Sequence, residues 1–194
     1  MKTEYEAKFL NVDIEDIRQR LQSLGATLAK PMRLMRRVTI DTPEMKQKGA
    51  FVRVRDEGDC VTITYKQFDS LSVDGAKEHE VVVDDFGNTI ALLAAAGLSY
   101  GSFQESKRET WKFEDVEIMI DEWPWLNPYI EVESMSVEKV KAFSEQLGFA
   151  WESAVFGDVM AAYRAQYPHL KTTGTVGNIP EVKFGDPLPG LLVD

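Results

Sequence analysis

Glu4-Tyr5-Glu6-Ala7-Lys8, almost at the N-terminus, is the stretch from which the fold can be worked out. In an extended chain successive side chains point to opposite faces, so Glu4, Glu6 and Lys8 share one face while Tyr5, Ala7 and Phe9 share the other. Taken alone, this is the ordinary mark of a half-buried antiparallel strand with its charged side in water. Repetition changes the reading. Glu78-His79-Glu80 and Glu131-Val132-Glu133 carry the same spacing, and all three stretches are followed by an amphipathic helix that stops at a glycine.

The first of these helices is capped by Asp13, carries Ile14, Ile17, Leu21 and Leu24 at helical spacing, and ends at Gly25. The second covers 86–96 before Gly97. The third starts at Ser136, follows Val137, Val140, Phe143 and Leu147, and ends at Gly148. A fourth helix is predicted over 155–167, broken before Pro168. Further strands are predicted at 35–41, 50–55, 60–68, 103–113, 117–121 and 129–134, with Asp56-Glu57-Gly58-Asp59 as a hairpin tip.

Alternation also sorts the later strands. Arg53 and Arg55 oppose Val52 and Val54; Thr62, Thr64 and Lys66 oppose Val61, Ile63 and Tyr65. Arg37 shares a face with Thr39 and Asp41, and Arg108 with Ser106 and Thr110, while Arg36 and Lys107 fall on the opposite faces. A flat sheet of this kind would wet its polar side, whereas a closed barrel with helices on its apolar exterior would enclose it. The expected fold class is therefore α+β: a closed or nearly closed eight-stranded antiparallel β-barrel, a tunnel with a charged lumen and helices packed outside.

Composition bounds the function. The chain has 194 residues, 44% of them hydrophobic, enough for one domain with a substantial core. With 32 acidic against 22 basic residues the net charge is −10, which argues against a broad nucleic-acid or anionic-lipid surface. No apolar run approaches the ~20 residues of a membrane span, and MKTEYEAKFL lacks the apolar stretch of a signal peptide. A cytoplasmic protein with neither nucleic acid nor membrane as partner is expected. Cys60, the single cysteine, allows no internal disulfide and no cysteine-rich zinc site, and reads as a strand position. His79, between two glutamates, and His169, after Pro168, are not expected to carry chemistry. Trp123-Pro124-Trp125-Leu126 reads as a packed cluster at a tunnel mouth or on the exterior. Lys171 to Asp194 is rich in Gly, Pro and Thr without periodicity and reads as an extended tail packed over the domain.

A lumen holding Lys8, Arg53, Arg55, Lys66 and Arg108 would attract a compact polyanion that its carboxylates would repel unless cations intervened. Mg2+ or Mn2+ reconciles the two sets, since such ions bridge protein carboxylates and phosphate oxygens. A triphosphate suits that arrangement.

These residues, in this order, resemble the CYTH family of triphosphate tunnel metalloenzymes, which includes class IV adenylyl cyclases, thiamine triphosphatases and inorganic triphosphatases. The resemblance rests on Glu4-x-Glu6-x-Lys8, Ile40-Asp41-Thr42-Pro43, Arg53-x-Arg55, Thr64-x-Lys66, Glu78-x-Glu80, Asp121 and Glu131-x-Glu133, and spans about residues 1 to 165. It implies a tunnel domain over 1–167 and a Gly/Pro-rich C-terminal extension over 168–194. It further implies that Lys8, Arg37, Arg53, Arg55, Lys66 and Arg108 bind phosphate, that Glu4, Glu6, Glu131 and Glu133 hold the metal, and that Lys8, Glu78, Glu80 and Asp121 act in or orient the chemistry. Ser106-Lys107-Arg108 departs from the Lys-x-Arg strand of relatives, which removes one phosphate contact. The leading expectation is a metal-dependent triphosphatase acting on inorganic triphosphate, thiamine triphosphate or a nucleoside triphosphate. The alternatives are a class IV-type adenylyl cyclase releasing cyclic AMP and diphosphate, and a non-catalytic polyphosphate- or nucleotide-binding module. The resemblance leaves a homodimer open, and no motif marks an interface.

Overall fold

A computed structural model describes residues 1–171 and 174–193. Eight strands, β1 (Lys2–Leu10), β2 (Thr27–Ile40), β3 (Ala50–Asp56), β4 (Val61–Phe68), β5 (Ala76–Val83), β6 (Ser102–Phe113), β7 (Val116–Glu122) and β8 (Tyr129–Ser134), pair antiparallel in the order β2-β3-β4-β5-β1-β8-β7-β6. A β2–β6 pairing closes the ring. A short ninth strand, β9 (Glu181–Val182), lies parallel to β6 at Phe103 and Gln104, beyond the end of β7. The helices are α1 (Ile14–Ser23), α2 (Pro43–Gln47), α3 (Phe86–Ala95), α4 (Val137–Gln146) and α5 (Val159–Gln166). The expected α+β barrel is therefore present, closed, with helices outside.

The apolar faces look outward. Ala7, Phe9, Trp111, Ile118, Ile120, Ile130 and Val132 pack under Ile17 and Leu21 of α1 and Val140 and Phe143 of α4. On another side Val38, Ile40, Val52 and Val54 meet Leu93 of α3. The hydrophobic effect thus acts between barrel wall and helices, and leaves the lumen to polar groups. Each helix after a Glu-x-Glu strand is capped by an Asp or Ser side chain, Asp13 and Ser136 as expected and Asp85 in addition, and closed by a left-handed glycine, as at Gly25 (φ 83°) and Gly148 (φ 95°).

The strand pairing is short at one seam of the closed barrel. β1 pairs with β5 only at Lys2, Thr3 and Glu4. Farther along, the Glu6 N–H donates to the Val73 carbonyl at 3.0 Å, and Lys8 exchanges two 2.9 Å bonds with Val155. Val155, predicted as helical, thus extends the sheet instead, and α5 starts four residues later.

Three other differences have physical causes. β2 begins at Thr27, eight residues before the predicted start, because Pro31 falls at a register shift where its missing N–H costs no ladder bond. The five-residue α2 was not predicted; Thr42 caps it by accepting the Met45 N–H at 3.2 Å, with Pro43 in its first turn. Cys60 stands just before β4 rather than in it. In the C-terminal segment Leu170, Val176, Val182 and Leu192 are buried against Met160 and Tyr163 of α5. Thr172, Thr173 and Asp194 of the expected tail lie outside the described residues. No described helix is long and apolar enough to cross a membrane.

Candidate active site: a charged tunnel

Strand register carries the charged faces inward and sets like charges side by side. Arg37 lies opposite Arg55, Arg33 opposite Arg108, and Glu6 opposite Glu133. Directly opposed like charges destabilise a sheet, so their recurrence on one inner surface calls for ligands of both signs.

Part of this charge is neutralised within the wall. Lys8, 1% exposed, bonds Glu6 at 2.9 Å and Glu131 at 3.2 Å. Burial opposes its charge, but Glu131 and Glu6 outweigh burial and hold the ammonium above its ordinary range. Arg108 grips Asp121 with two bonds of 2.7 and 2.6 Å and reaches Glu131 at 2.6 Å, so it too stays charged against its burial. Lys66 meets Glu4 at 2.6 Å and Glu6 at 3.8 Å.

Another part is satisfied only incompletely. Arg53 has Glu80 at 3.5 Å and the Thr64 hydroxyl at 3.3 Å, and its buried Nε finds no acceptor. Burial first, then Arg55, pulls its guanidinium down to about 10. Arg55 bonds Glu57 at 2.5 Å, yet its own Nε is also buried and unpartnered. Arg37 makes no ion pair among the described residues; it donates to Gln104 Oε1 at 2.9 Å and lies 4.2 Å over the Trp123 ring. Burial and the neighbouring Arg53 pull it down to about 9, still protonated at neutral pH. Buried guanidinium N–H groups without acceptors are costly, and an anion's oxygens would satisfy them.

The complementary pole is acidic. The carboxyls of Glu4 and Glu78 lie within hydrogen-bonding reach of each other, and burial together with Glu4 pushes Glu78 up to about 7. Glu133 is also pushed to about 7, by burial and then by Glu4 and Glu6. Carboxyls that hold protons near neutrality mark a surplus of negative charge, and oxygen-only donors suit a hard divalent ion. No three of Glu4, Glu6, Glu131 and Glu133 bring donor atoms within 4.8 Å of one another. Among the described residues Glu57, Asp59 and Cys60 do, at the β3–β4 turn, but Arg55, Arg33 and Lys30 already occupy Glu57 there.

Every residue singled out from the sequence for phosphate, metal or chemistry thus lies on the inner face. Lys107 does not: it sits on the outside near Glu122, over the Phe184 ring. Four neighbours of the charged set were not singled out. Arg33 and Gln104 follow from Arg37 and Arg108 by period two, the first hidden by the misplaced start of β2, the second by its lack of charge. In the sequence Glu57 reads only as a turn residue, and Trp123 only as packing.

Comparison with known proteins places this geometry. The family model of the CYTH domain matches residues 2–155. The PH1012 protein of Pyrococcus horikoshii OT3 is 22% identical with a TM-score of 0.66, over 78% of this chain and 93% of that one. An adenylate cyclase candidate from Vibrio parahaemolyticus is 12% identical with a TM-score of 0.71, over 82% and 96%. An adenylyl cyclase candidate from Hippeastrum, described as revealing a dominant triphosphatase activity, is 16% identical with a TM-score of 0.57, over 84% and 96%. At these identities the likeness is one of fold. Comparison with curated proteins gave no match.

Proposed function

Because the chain belongs to the CYTH family, we propose that its tunnel is the active site of a divalent-metal-dependent triphosphatase. One observation carries this reading: the lumen separates incompletely satisfied guanidinium groups, Arg37 without an ion pair among the described residues and Arg53 and Arg55 each with a buried Nε that finds no acceptor, from crowded carboxyls at Glu4, Glu78 and Glu133. A polyanion and a divalent cation bound together satisfy both poles, whereas either alone leaves one uncompensated.

CYTH domains are metal-dependent in general, and Mg2+ or Mn2+ suits the carboxylate set of Glu4, Glu6, Glu131 and Glu133. Such an ion would polarise the phosphoryl oxygens and lower the pKa of bound water. Arg37, Arg53 and Arg55 bind the phosphate chain and neutralise charge that develops as the phosphoanhydride bond breaks. Lys8, Lys66 and Arg108, already ion-paired, act as fixed positive points along the chain. Asp121 orients Arg108 through its two-pronged bond, and Glu80 fixes Thr64 and Arg53, accepting the Thr64 hydroxyl at 2.7 Å. Glu78, poised near 7, accepts the proton of the attacking water. Water adds to the terminal phosphorus, the bond to the bridging oxygen breaks, and phosphate leaves from the remaining diphosphate.

The test is phosphate release from tripolyphosphate, thiamine triphosphate and ATP with Mg2+ or Mn2+, with products identified. Orthophosphate is expected. Cyclic AMP and diphosphate from ATP would replace hydrolysis by cyclisation, and tight binding without turnover would leave a binding module.

A further inference from the structure

Resting on the assignment of Arg37 to the phosphate-binding wall, we infer that Gln104 is the residue that positions Arg37, and that the C-terminal segment sets the orientation of Gln104. The contacts form one directed chain. The hydroxyl of Ser102 donates to the carbonyl of Ile179 at 2.6 Å; Gln104 Nε2 donates to that hydroxyl at 3.2 Å; Arg37 Nε donates to Gln104 Oε1 at 2.9 Å. Ser102 is 0% exposed and Gln104 2%, so water does not compete.

The direction follows from donor counting. A serine hydroxyl has one hydrogen, and here the Ile179 carbonyl takes it. Ser102 can then only accept from Gln104, which must show it the NH2 group and turn its oxygen to Arg37. Without the carbonyl, the hydroxyl could donate to Gln104 instead, the amide could flip, and an NH2 group would face a cation. The carbonyl is held in place from both sides: Phe103 N–H donates to Pro180 O at 2.8 Å, and β9 pairs with β6 at Phe103 and Gln104. Trp123, the ring under Arg37, is tied to the same segment, since Trp125 donates its indole N–H to Asp186 O at 2.9 Å. Trp125 takes φ 63°, an unfavourable backbone for a bulky residue, while Tyr167 and Gln166 bond its carbonyl at 2.6 and 2.9 Å. The family match ends at residue 155, so Ile179, Pro180 and Asp186 all lie beyond it.

A double-mutant cycle read by calorimetric binding of tripolyphosphate tests the inference. Arg37→Gln and Gln104→Met are each expected to weaken binding about tenfold, and the double variant to bind no more weakly than Arg37→Gln alone, because Gln104 acts through Arg37. Ser102→Ala is expected to weaken binding about threefold and to have no effect in the Arg37→Gln background; it decides the matter if Gln104→Met fails to fold. Additive losses, or wild-type affinity in Gln104→Met or Arg37→Gln, overturn the inference while binding by the wild-type protein keeps the tunnel assignment standing. Absence of tripolyphosphate binding by the wild-type protein overturns both.

Discussion

On the outer face of β6, Glu109 is an acid in an apolar setting, 4% exposed beneath α1. It accepts from Arg18 at 3.0 and 2.6 Å and from the Trp111 indole at 2.7 Å. Burial favours its neutral form, but Arg18 and Trp111 outweigh burial and hold the carboxyl below its ordinary range. A carboxylate with a depressed folded-state pKa adds stability above its unfolded value, near 4.5, and loses it as pH falls through the folded value. Glu109→Gln is therefore expected to cost about 1.5–3 kcal/mol at pH 7 in urea unfolding, with the gap to wild type closing below about pH 4.5. Equal gaps at pH 7 and pH 3 would refute the charge-based account. Within the lumen, Arg53→Met should lower kcat/KM for the triphosphate by about 10²-fold or more with little loss of stability, because the buried cation removed is weakly paired, with Glu80 at 3.5 Å and its Nε unbonded. Steady-state kinetics beside thermal unfolding checks this, and a large stability loss with unchanged kinetics would make Arg53 structural.

Among the elements, α1 and α4 act as cladding: they bury apolar wall and touch no lumen charge. Leu21→Ala, at a fully buried position, is expected to cost about 2–5 kcal/mol while leaving kcat/KM per folded molecule unchanged. Denaturation and active-site titration together check that separation. The elements that carried strict periodicity, β1, β3, β4, α1 and α4, were legible because pleat or helical turn imposes the pattern directly on the sequence. Those that were not legible depend on partners. β2 runs through Pro31 because β6 shifts register beside it, Val155 is extended because β1 offers it an open edge, and β9 exists because β7 stops short of Phe103. None of these partners is near in sequence, so no local pattern announces them.

For the molecule as a whole, ligand binding and stability must be linked, since the lumen's opposed like charges weaken the empty barrel. Tripolyphosphate with Mg2+ at about 100 times Kd should add about 2.7 kcal/mol, a rise in Tm of roughly 5–11 °C. Scanning calorimetry with and without both ligands, and after chelation, measures it; an unchanged Tm would mean that the ligands do not bind the folded tunnel.

Alternation by itself determined that Glu4, Glu6, Lys8, Arg53, Arg55, Lys66, Arg108, Glu131 and Glu133 share polar faces, and apolar helices that barrels can wear outside made closure around them the economical solution. That much is written in the chain because it depends only on the period of a strand. Tertiary structure alone decided how the charges divide: Lys8, Lys66 and Arg108 are neutralised by carboxylates brought from other strands, while Arg37 has no ion pair among the described residues and Arg53 and Arg55 keep an Nε without an acceptor. It also decided that Gln104, unremarkable in the sequence, meets Arg37 on one side and Ser102 on the other. Pairing of this kind depends on register between strands far apart in the chain, and on distances of a few ångströms that no residue spacing encodes.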